Sequence, residues 1–155
     1  MFRKALIAGA CTALGLVVGA TAFSFASPGA GGSRTVHVIE HAKTDTVVDT
    51  GATGDTTGDL LTFHNPVYDS ANSTKVGHDR GDCIRVSPPQ GTWECRWTTY
   101  LKGGEITVEG PFNDTSSSVM AVTGGTGAFK DARGQMALKS RKGGTQYDFI
   151  FTIDA

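Results

Sequence analysis

Alternation of apolar and polar residues, interrupted by glycine-rich turns, is the feature that most constrains the fold of this chain. In residues 92–101, every second residue from Trp93 onward lies on one mainly apolar face, and most residues between them are polar. A period of two residues is typical of a β-strand with one buried face. Residues 102–105 and 142–144 carry adjacent glycines, which readily adopt the positive φ of tight hairpin turns. The second half of the chain is therefore predicted to form consecutive β-hairpins.

The same criteria predict about eight strands and no helix after residue 26. The predicted strands cover residues 35–42, 59–68, 82–87, 92–101, 106–112, 119–122, 134–141 and 147–153. Residues 43–58 and 69–78 are mainly polar and are predicted to be loops. Consecutive hairpins in one small domain favour an all-β fold, an eight-stranded antiparallel β-barrel, because closure removes exposed strand edges. A β-sandwich is the alternative.

The first 26 residues differ from the rest of the chain. Arg3 and Lys4 are followed by an uncharged, moderately apolar stretch up to Phe25, and small residues stand one and three positions before Ser27. This arrangement predicts a Sec-type signal peptide and a secreted protein; a retained membrane anchor is the alternative. The predicted organisation is a signal peptide (1–26), a flexible lead-in (27–34) and a single β-barrel domain (35–155).

The charge balance argues against two kinds of partner. The chain has 14 basic and 15 acidic residues, and loss of Arg3 and Lys4 with the signal peptide leaves 12 basic residues. A mildly acidic domain argues against nucleic acid as a partner and, after signal cleavage, against an anionic membrane surface.

The four histidines, at positions 37, 41, 64 and 78, lack the spacing typical of metal ligands, so no metal site is predicted.

Two cysteines, Cys83 and Cys95, remain after the predicted signal peptide. Each lies six residues from Pro89, which is the centre of the turn predicted between two strands. Residues at equal distances from the centre of a hairpin face each other, close enough to bridge if the register is correct. Outside the cytosol such a pair is most simply a disulfide. The alternative is two free, buried thiols.

Glu40 ends the first predicted strand. Val36, Val38 and Glu40 alternate onto one face, and His37 begins the opposite face. If the valine face points inward, Glu40 is a partly desolvated carboxylate in an apolar setting, which is typical of functional sites. The alternative is a carboxylate at the barrel rim that pairs with an arginine. The arginines available for that pairing are Arg80, Arg85, Arg96 and Arg133.

Residues 122–127, Val-Thr-Gly-Gly-Thr-Gly, are similar to the beginning of a dinucleotide-binding fingerprint. Such a fingerprint begins a helix after a strand, whereas here a further strand follows within a few residues. A glycine-rich corner between two barrel strands fits the context better.

Four segments, taken in order, resemble the plant allene oxide cyclases. They are GDLLTFHNPVY (58–68), GDC (81–83), VEGPF (108–112) and AVTGGTGAF (121–129). The last segment, continued to Gly134, also resembles dirigent proteins. The secreted form with two cysteines is similar to bacterial allene-oxide-cyclase-barrel-like proteins. The resemblance implies an eight-stranded antiparallel barrel, assembly as a homotrimer, a hydrophobic small molecule as ligand, and chemistry that needs no cofactor.

The resemblance also assigns site residues. Residues 38–45 align without gaps with the family's Val-x-Glu-x-x-x-x-Asp strand, which places Glu40 on the catalytic glutamate. Ligand-binding positions of the pocket correspond to Phe63, Asn65 and Phe112. Cys83 corresponds to the family's pocket cysteine.

Three departures from the family pattern argue against the plant reaction, in which a fatty-acid epoxide closes to a cyclopentenone. Ala42 replaces an asparagine that helps to hold a water, Phe112 replaces a tyrosine, and Cys83 is expected to bond to Cys95. Loss of a buried donor or acceptor usually abolishes an activity that depends on it.

Three functions are compatible with the sequence. The first is a cofactor-free cyclase or isomerase acting on a hydrophobic metabolite, with Glu40 stabilising charge or moving a proton. The second is a dirigent-like or carrier protein that binds such a ligand without turnover. The third is a structural or interaction barrel whose interior is filled by side chains, for which Trp93, Trp97, Phe149 and Phe151 are candidates.

Overall fold

Nine strands make up the part of the chain that the structure, a computed structural model, describes: residues 32–154. The predicted signal peptide, residues 1–26, lies outside this range, as do residues 27–31 of the predicted lead-in. The strands are β1 (Ser33–His41), β2 (Thr46–Val48), β3 (Leu60–Asp69), β4 (Lys75–Ser87), β5 (Thr92–Leu101), β6 (Gly104–Asn113), β7 (Ser118–Gly125), β8 (Gly134–Arg141) and β9 (Gln146–Asp154). Single 3₁₀ turns at Pro88–Gln90 and Gly127–Phe129 join strands.

Eight of the strands form a closed antiparallel ring. Each strand from β3 to β9 pairs with the next along the chain, and β1 pairs with both β9 and β3. In the closing pair, Ile39 lies opposite Tyr68 and Glu40 lies opposite Val67. The predicted eight-stranded barrel is therefore confirmed, and the β-sandwich alternative is wrong. The short β2 pairs with the first residues of β3, along the part of the same strand edge that does not pair with β1.

Strand β4 differs from the prediction because it begins at Lys75, well before residue 82, and it therefore includes part of the predicted loop 69–78. Its inward face carries Gly77, Asp79 and Gly81 in place of apolar side chains, so the alternation is hidden. Glycine is needed at position 81, since an added Cβ would lie 2.3 Å from Cβ of Trp97. Trp97 thus lies against the bare backbone of β4.

The interior of the barrel is packed with side chains from every strand of the ring. The face of β5 predicted to be apolar is buried at Trp93, Cys95, Trp97 and Thr99. The most completely buried apolar side chains of the core are those of Val67, Ile106, Val108, Met120, Met136 and Phe151. The barrel is therefore mainly a filled core, as expected for a barrel of eight strands.

The glycine-rich segment 122–127 is a corner between strands. Its first residues belong to β7, and the chain then makes a single 3₁₀ turn instead of a helix. A Cβ on Gly125 would lie 2.4 Å from the carbonyl oxygen of Phe129, so the backbone approaches too closely for another residue type. The dinucleotide-binding alternative is wrong. Within residues 32–154, no helix is long and apolar enough to cross a membrane.

Cys83 and Cys95 are direct cross-strand partners in the β4–β5 hairpin and form a disulfide, which confirms the predicted bridge. The bridge links two strands that the hairpin turn already holds together. It closes a short loop, because the cysteines are 12 residues apart in sequence.

We expect the Cys83→Ala/Cys95→Ala protein to lose about 2–3 kcal/mol of unfolding free energy, since a loop of about this length loses that much denatured-state entropy when it is closed. Urea unfolding of the two proteins measures the difference. Reductant should lower the midpoint of the wild type and leave that of the double variant unchanged. Equal stability of both proteins under oxidising conditions would contradict a structural role for the bridge.

Candidate functional site

One cavity inside the barrel lies where the turns after β4, β6 and β8 and the β1–β2 loop meet. Its volume is about 90 Å³. The lining residues come from seven strands and this loop: Glu40, Asp45, Leu61, Phe63, Asn65, Cys83, Cys95, Trp97, Phe112, Leu138, Tyr147 and Phe149. Asp45 is exposed, and Phe63, Phe112 and Tyr147 are only partly buried, so the cavity reaches the surface.

The structure brings together every site residue suggested by the family resemblance. Glu40 on β1, Phe63 and Asn65 on β3, and Phe112 on β6 all line this cavity. The disulfide of Cys83 and Cys95 forms part of the same wall. Several further lining residues, among them Tyr147 and Leu138, lie outside the segments that carry the family resemblance. They reach the cavity through the pairing of strands around the ring, which the sequence does not show.

Glu40 is a buried acid without a cationic partner. It is 3% exposed, and its Oε1 accepts a hydrogen bond from Nδ2 of Asn65. Its Oε2 has no hydrogen-bond partner within residues 32–154. Burial, and then the nearby carboxylates of Asp79 and Asp45, raise the pKa of Glu40 to about 9, so the group holds its proton at neutral pH.

The predicted alternative of a rim carboxylate paired with an arginine does not apply to Glu40. The guanidinium of Arg85 bonds to Asp55 at 2.6 Å and to Asp114 at 2.7 Å. The other three candidate arginines make contacts elsewhere: Arg80 with His78 and Tyr100, Arg96 with Asp82, and Arg133 with the carbonyl of Ala132. Among the residues that line the cavity in the described part of the chain, none is Lys, Arg or His.

Asn65 connects the strands and the loop around Glu40. Its side-chain amide donates to Glu40 and to Oδ1 of Asp45, at 2.6 Å in the second case. Its Oδ1 accepts hydrogen bonds from the backbone N–H groups of Lys43 and Thr44, at 2.8 and 2.9 Å. One buried side chain therefore fixes the β1–β2 loop over the cavity and orients the carboxyl group of Glu40.

Asp79 is a second buried acid that the sequence analysis missed. It lies opposite Asn65 in the β3–β4 pair and is 0% exposed. Its Oδ1 accepts the backbone N–H of Asn65 at 3.2 Å, while Oδ2 has no partner within the described range. Burial raises the pKa of Asp79 to about 7. Its position on an inward face could have been found only by recognising Gly77 and Gly81 as strand residues.

Aromatic side chains form most of the apolar wall. The ring of Trp97 lies 5.2 Å from Phe149 and 5.9 Å from Phe63, measured between centroids. Phe112 and Tyr147 meet edge to face at 5.8 Å. Burial and the nearby Glu40 raise the pKa of the Tyr147 hydroxyl. The cavity therefore places one uncharged acid against flat apolar surfaces, an arrangement suited to proton donation out of water.

The two raised pKa values predict an unusual dependence of stability on pH. Between its ordinary pKa of 4.5 and about 9, Glu40 binds more protons in the folded than in the unfolded protein, and Asp79 does so between 3.8 and about 7. Unfolding free energy should therefore fall as the pH rises through these windows, by up to about 1.4 kcal/mol per pH unit for each group.

We expect the Glu40→Gln variant to flatten this slope and to exceed the wild type in stability at the alkaline end of the window. Urea unfolding at a series of pH values measures the slope. Glu94→Gln, at an exposed position on the outside of the barrel, is the matched control and should keep the wild-type slope. If Glu40→Gln and the wild type have parallel stability curves, Glu40 is not a neutral acid in the folded protein.

Comparison with known proteins agrees with this geometry. The family model described as allene oxide cyclase matches residues 36–151. A pyocyanin demethylase has a structure that superposes with a TM-score of 0.65 at 24% identity, covering 76% of this chain and 100% of its own. The pterocarpan synthase dirigent protein GePTS1 superposes with a TM-score of 0.65 at 20% identity, covering 87% of this chain and 99% of its own.

The Diels-Alderase AbmU from Streptomyces koyangensis superposes with a TM-score of 0.61 at 12% identity, covering 82% of this chain and 70% of its own. At these identities the structural likenesses show a shared fold. The family match covers the strands from β1 to β9, including Glu40, Asn65 and the rest of the cavity wall. The chain belongs to the allene oxide cyclase family.

Proposed function

We propose that the protein binds a hydrophobic small molecule in its barrel and that Glu40 acts as a general acid in a cofactor-free cyclisation or isomerisation of that molecule. The observation that carries the proposal is a buried carboxyl group that keeps its proton, has one oxygen without a hydrogen-bond partner within residues 32–154, and lines a cavity whose walls are mainly apolar. A carboxylic acid that keeps its proton at neutral pH can donate it to a bound ligand.

The chemistry of the cavity indicates the class of ligand. The Oε2 oxygen of Glu40, when protonated, is a hydrogen-bond donor, so it suits a ligand with an acceptor oxygen such as a carbonyl, an epoxide or a quinone. The aromatic walls suit a flat, apolar body next to that oxygen. The absence of cationic side chains from the described lining argues against a carboxylate or phosphate at this depth.

The size of the cavity places a condition on binding. A cavity of roughly 150 Å³ is large enough for benzene, whereas this one measures about 90 Å³. A ring-containing ligand must therefore displace side chains or extend through the mouth. Phe112 and Tyr147 are the candidates for displacement, because they meet at the mouth and are only partly buried.

Family membership supports small-molecule chemistry without supporting the plant reaction. Proteins named as a demethylase of pyocyanin, a pterocarpan synthase and a Diels-Alderase share this fold. Ala42 corresponds to the asparagine that helps to hold a water on the epoxide oxygen in the plant enzymes, and Phe112 corresponds to a tyrosine, so the plant water site does not carry over to this chain. Direct protonation by Glu40 is the alternative means of stabilising an oxygen that gains negative charge.

The proposed setting is extracellular. The Cys83–Cys95 disulfide supports an oxidising compartment, and residues 1–26 have the features of a signal peptide. Assembly as a homotrimer remains a prediction from the family resemblance.

Mass spectrometry of small molecules that co-purify with the secreted protein supplies the ligand for the test. With that ligand, we expect Glu40→Gln to lower kcat by about 10²- to 10⁴-fold, because a positioned acid contributes that much, and to change Kd by only a few fold, because Gln has the same shape. Glu109→Gln, on the exposed face of β6, is the matched control and should retain activity.

The other outcomes have definite meanings. Tight binding with no turnover by the wild type would establish the carrier function and refute the catalytic one. Turnover that is unchanged in Glu40→Gln would refute the acid mechanism. A protein that retains no small molecule and binds none after side-chain truncation at Phe112 would favour the structural barrel.

A further inference from the structure

Four buried side-chain atoms have no hydrogen-bond partner within residues 32–154. They are Oε2 of Glu40, Oδ2 of Asp79, Nε1 of Trp97 and Oγ1 of Thr99. Folded proteins leave few such groups unsatisfied, and buried water commonly satisfies two to four of them at once. Two of the four, on Asp79 and Thr99, belong to residues outside the cavity lining, so they point to a polar site that extends beyond the cavity.

The sheet register places three of these groups on one wall. Asp79 on β4 and Thr99 on β5 are direct cross-strand partners and both are 0% exposed. Trp97 is two residues before Thr99 on the same inward face. The wall thus offers a carboxyl oxygen from Asp79 that accepts or, when protonated, donates, a hydroxyl from Thr99 and an N–H donor from Trp97, which together match the bonding capacity of water.

Asn65 links this wall to Glu40. Its side-chain amide bonds to Glu40, and its backbone N–H bonds to Asp79, so the two acids lie on either side of one residue. Asp45, from the β1–β2 loop, also acts on Glu40, and Glu40 in turn acts on Tyr147 of β9. The guanidinium of Arg85 is held by Asp55 and Asp114.

We propose that Asp79, Thr99 and Trp97 bind buried water and that Asp79 is the proton-holding residue that restores the proton to Glu40 after each transfer to the ligand. The inference rests on the proposed function of Glu40 as an acid. It makes Asp79 a positioning residue that acts through Glu40 and does not touch the ligand.

The proton transfer balances without any other reactant. The Glu40 O–H bond breaks as the ligand oxygen takes the proton, which leaves a Glu40 carboxylate. Asp79 then gives its proton to a buried water, and that water gives one of its own protons to Glu40. No electrons are transferred. Because an isomerisation consumes no net proton, the ligand releases one proton to the solvent as the product forms, and Asp79 regains one proton from the solvent. The direction is favourable because Asp79 holds its proton less tightly than Glu40 does.

Carbon-13 NMR of protein labelled at the glutamate carboxyl groups tests the coupling between the two acids. The described range contains four glutamates, at positions 40, 94, 105 and 109, and Glu40 is the buried one. We expect Asp79→Asn to increase the acid dissociation constant of Glu40 about tenfold, because a like charge nearby is removed. Asn retains an acceptor for the N–H of Asn65. The matched control Asp82→Asn, on the outward face of β4 where the side chain pairs with Arg96, should leave the Glu40 titration unchanged.

Water contact in the wild type provides a second readout that does not depend on the Asp79→Asn variant. The chain has two tryptophans, and the indole N–H of Trp93 donates to Asp114 at 3.0 Å. We expect a long-lived water cross-peak at the indole N–H of Trp97 that is weakened by Thr99→Val, with Trp93 as the internal reference.

The outcomes separate this inference from the proposed function. An unaltered Glu40 titration in Asp79→Asn, with a raised Glu40 pKa in the wild type, would overturn the role of Asp79 alone. Absence of water at Trp97 would overturn the buried water site. An ordinary Glu40 pKa in the wild type would instead overturn the proposed function.

Discussion

Burial of a carboxyl group away from any cation is the interaction on which the candidate site depends. An ionised carboxylate in an apolar interior costs several kcal/mol, and Glu40 avoids this cost by keeping its proton. The closing pair of β1 and β3 creates the enclosure and sets Glu40 opposite Val67, while the β1–β9 pair sets Glu40 opposite Tyr147. An open sheet would leave the same side chain at an edge in contact with water.

Much of the fold could be predicted from the sequence because most strands carry an apolar inward face. The regular alternation of 92–101 and the paired glycines at 142–144 placed β5 and the β8–β9 turn correctly. The prediction failed at β4. Gly77 and Gly81 have no side chain there because backbone and side-chain atoms of β5 occupy the space that a Cβ would need. A strand with glycine on its inward face lacks the alternation of apolar and polar residues by which strands are predicted.

The candidate site was predicted less completely, for a different physical reason. Glu40 and Asn65 could be named because family motifs mark their positions, and both line the cavity. Whether Glu40 would meet an arginine or an amide could not be read from the chain, because its partners are contributed by strands distant in sequence. Asp79 carried no signal at all, since its importance arises from its place opposite Asn65 and Thr99 in the sheet register.

Neutron diffraction from deuterium-exchanged crystals at neutral pH is the most direct test of the central claim, because it locates hydrogen where X-ray diffraction at ordinary resolution does not. The account predicts deuterium on Oε2 of Glu40, the oxygen that Asn65 does not contact. A bare carboxylate at Glu40, with two equivalent oxygens and a cation or several water molecules beside it, would contradict the account.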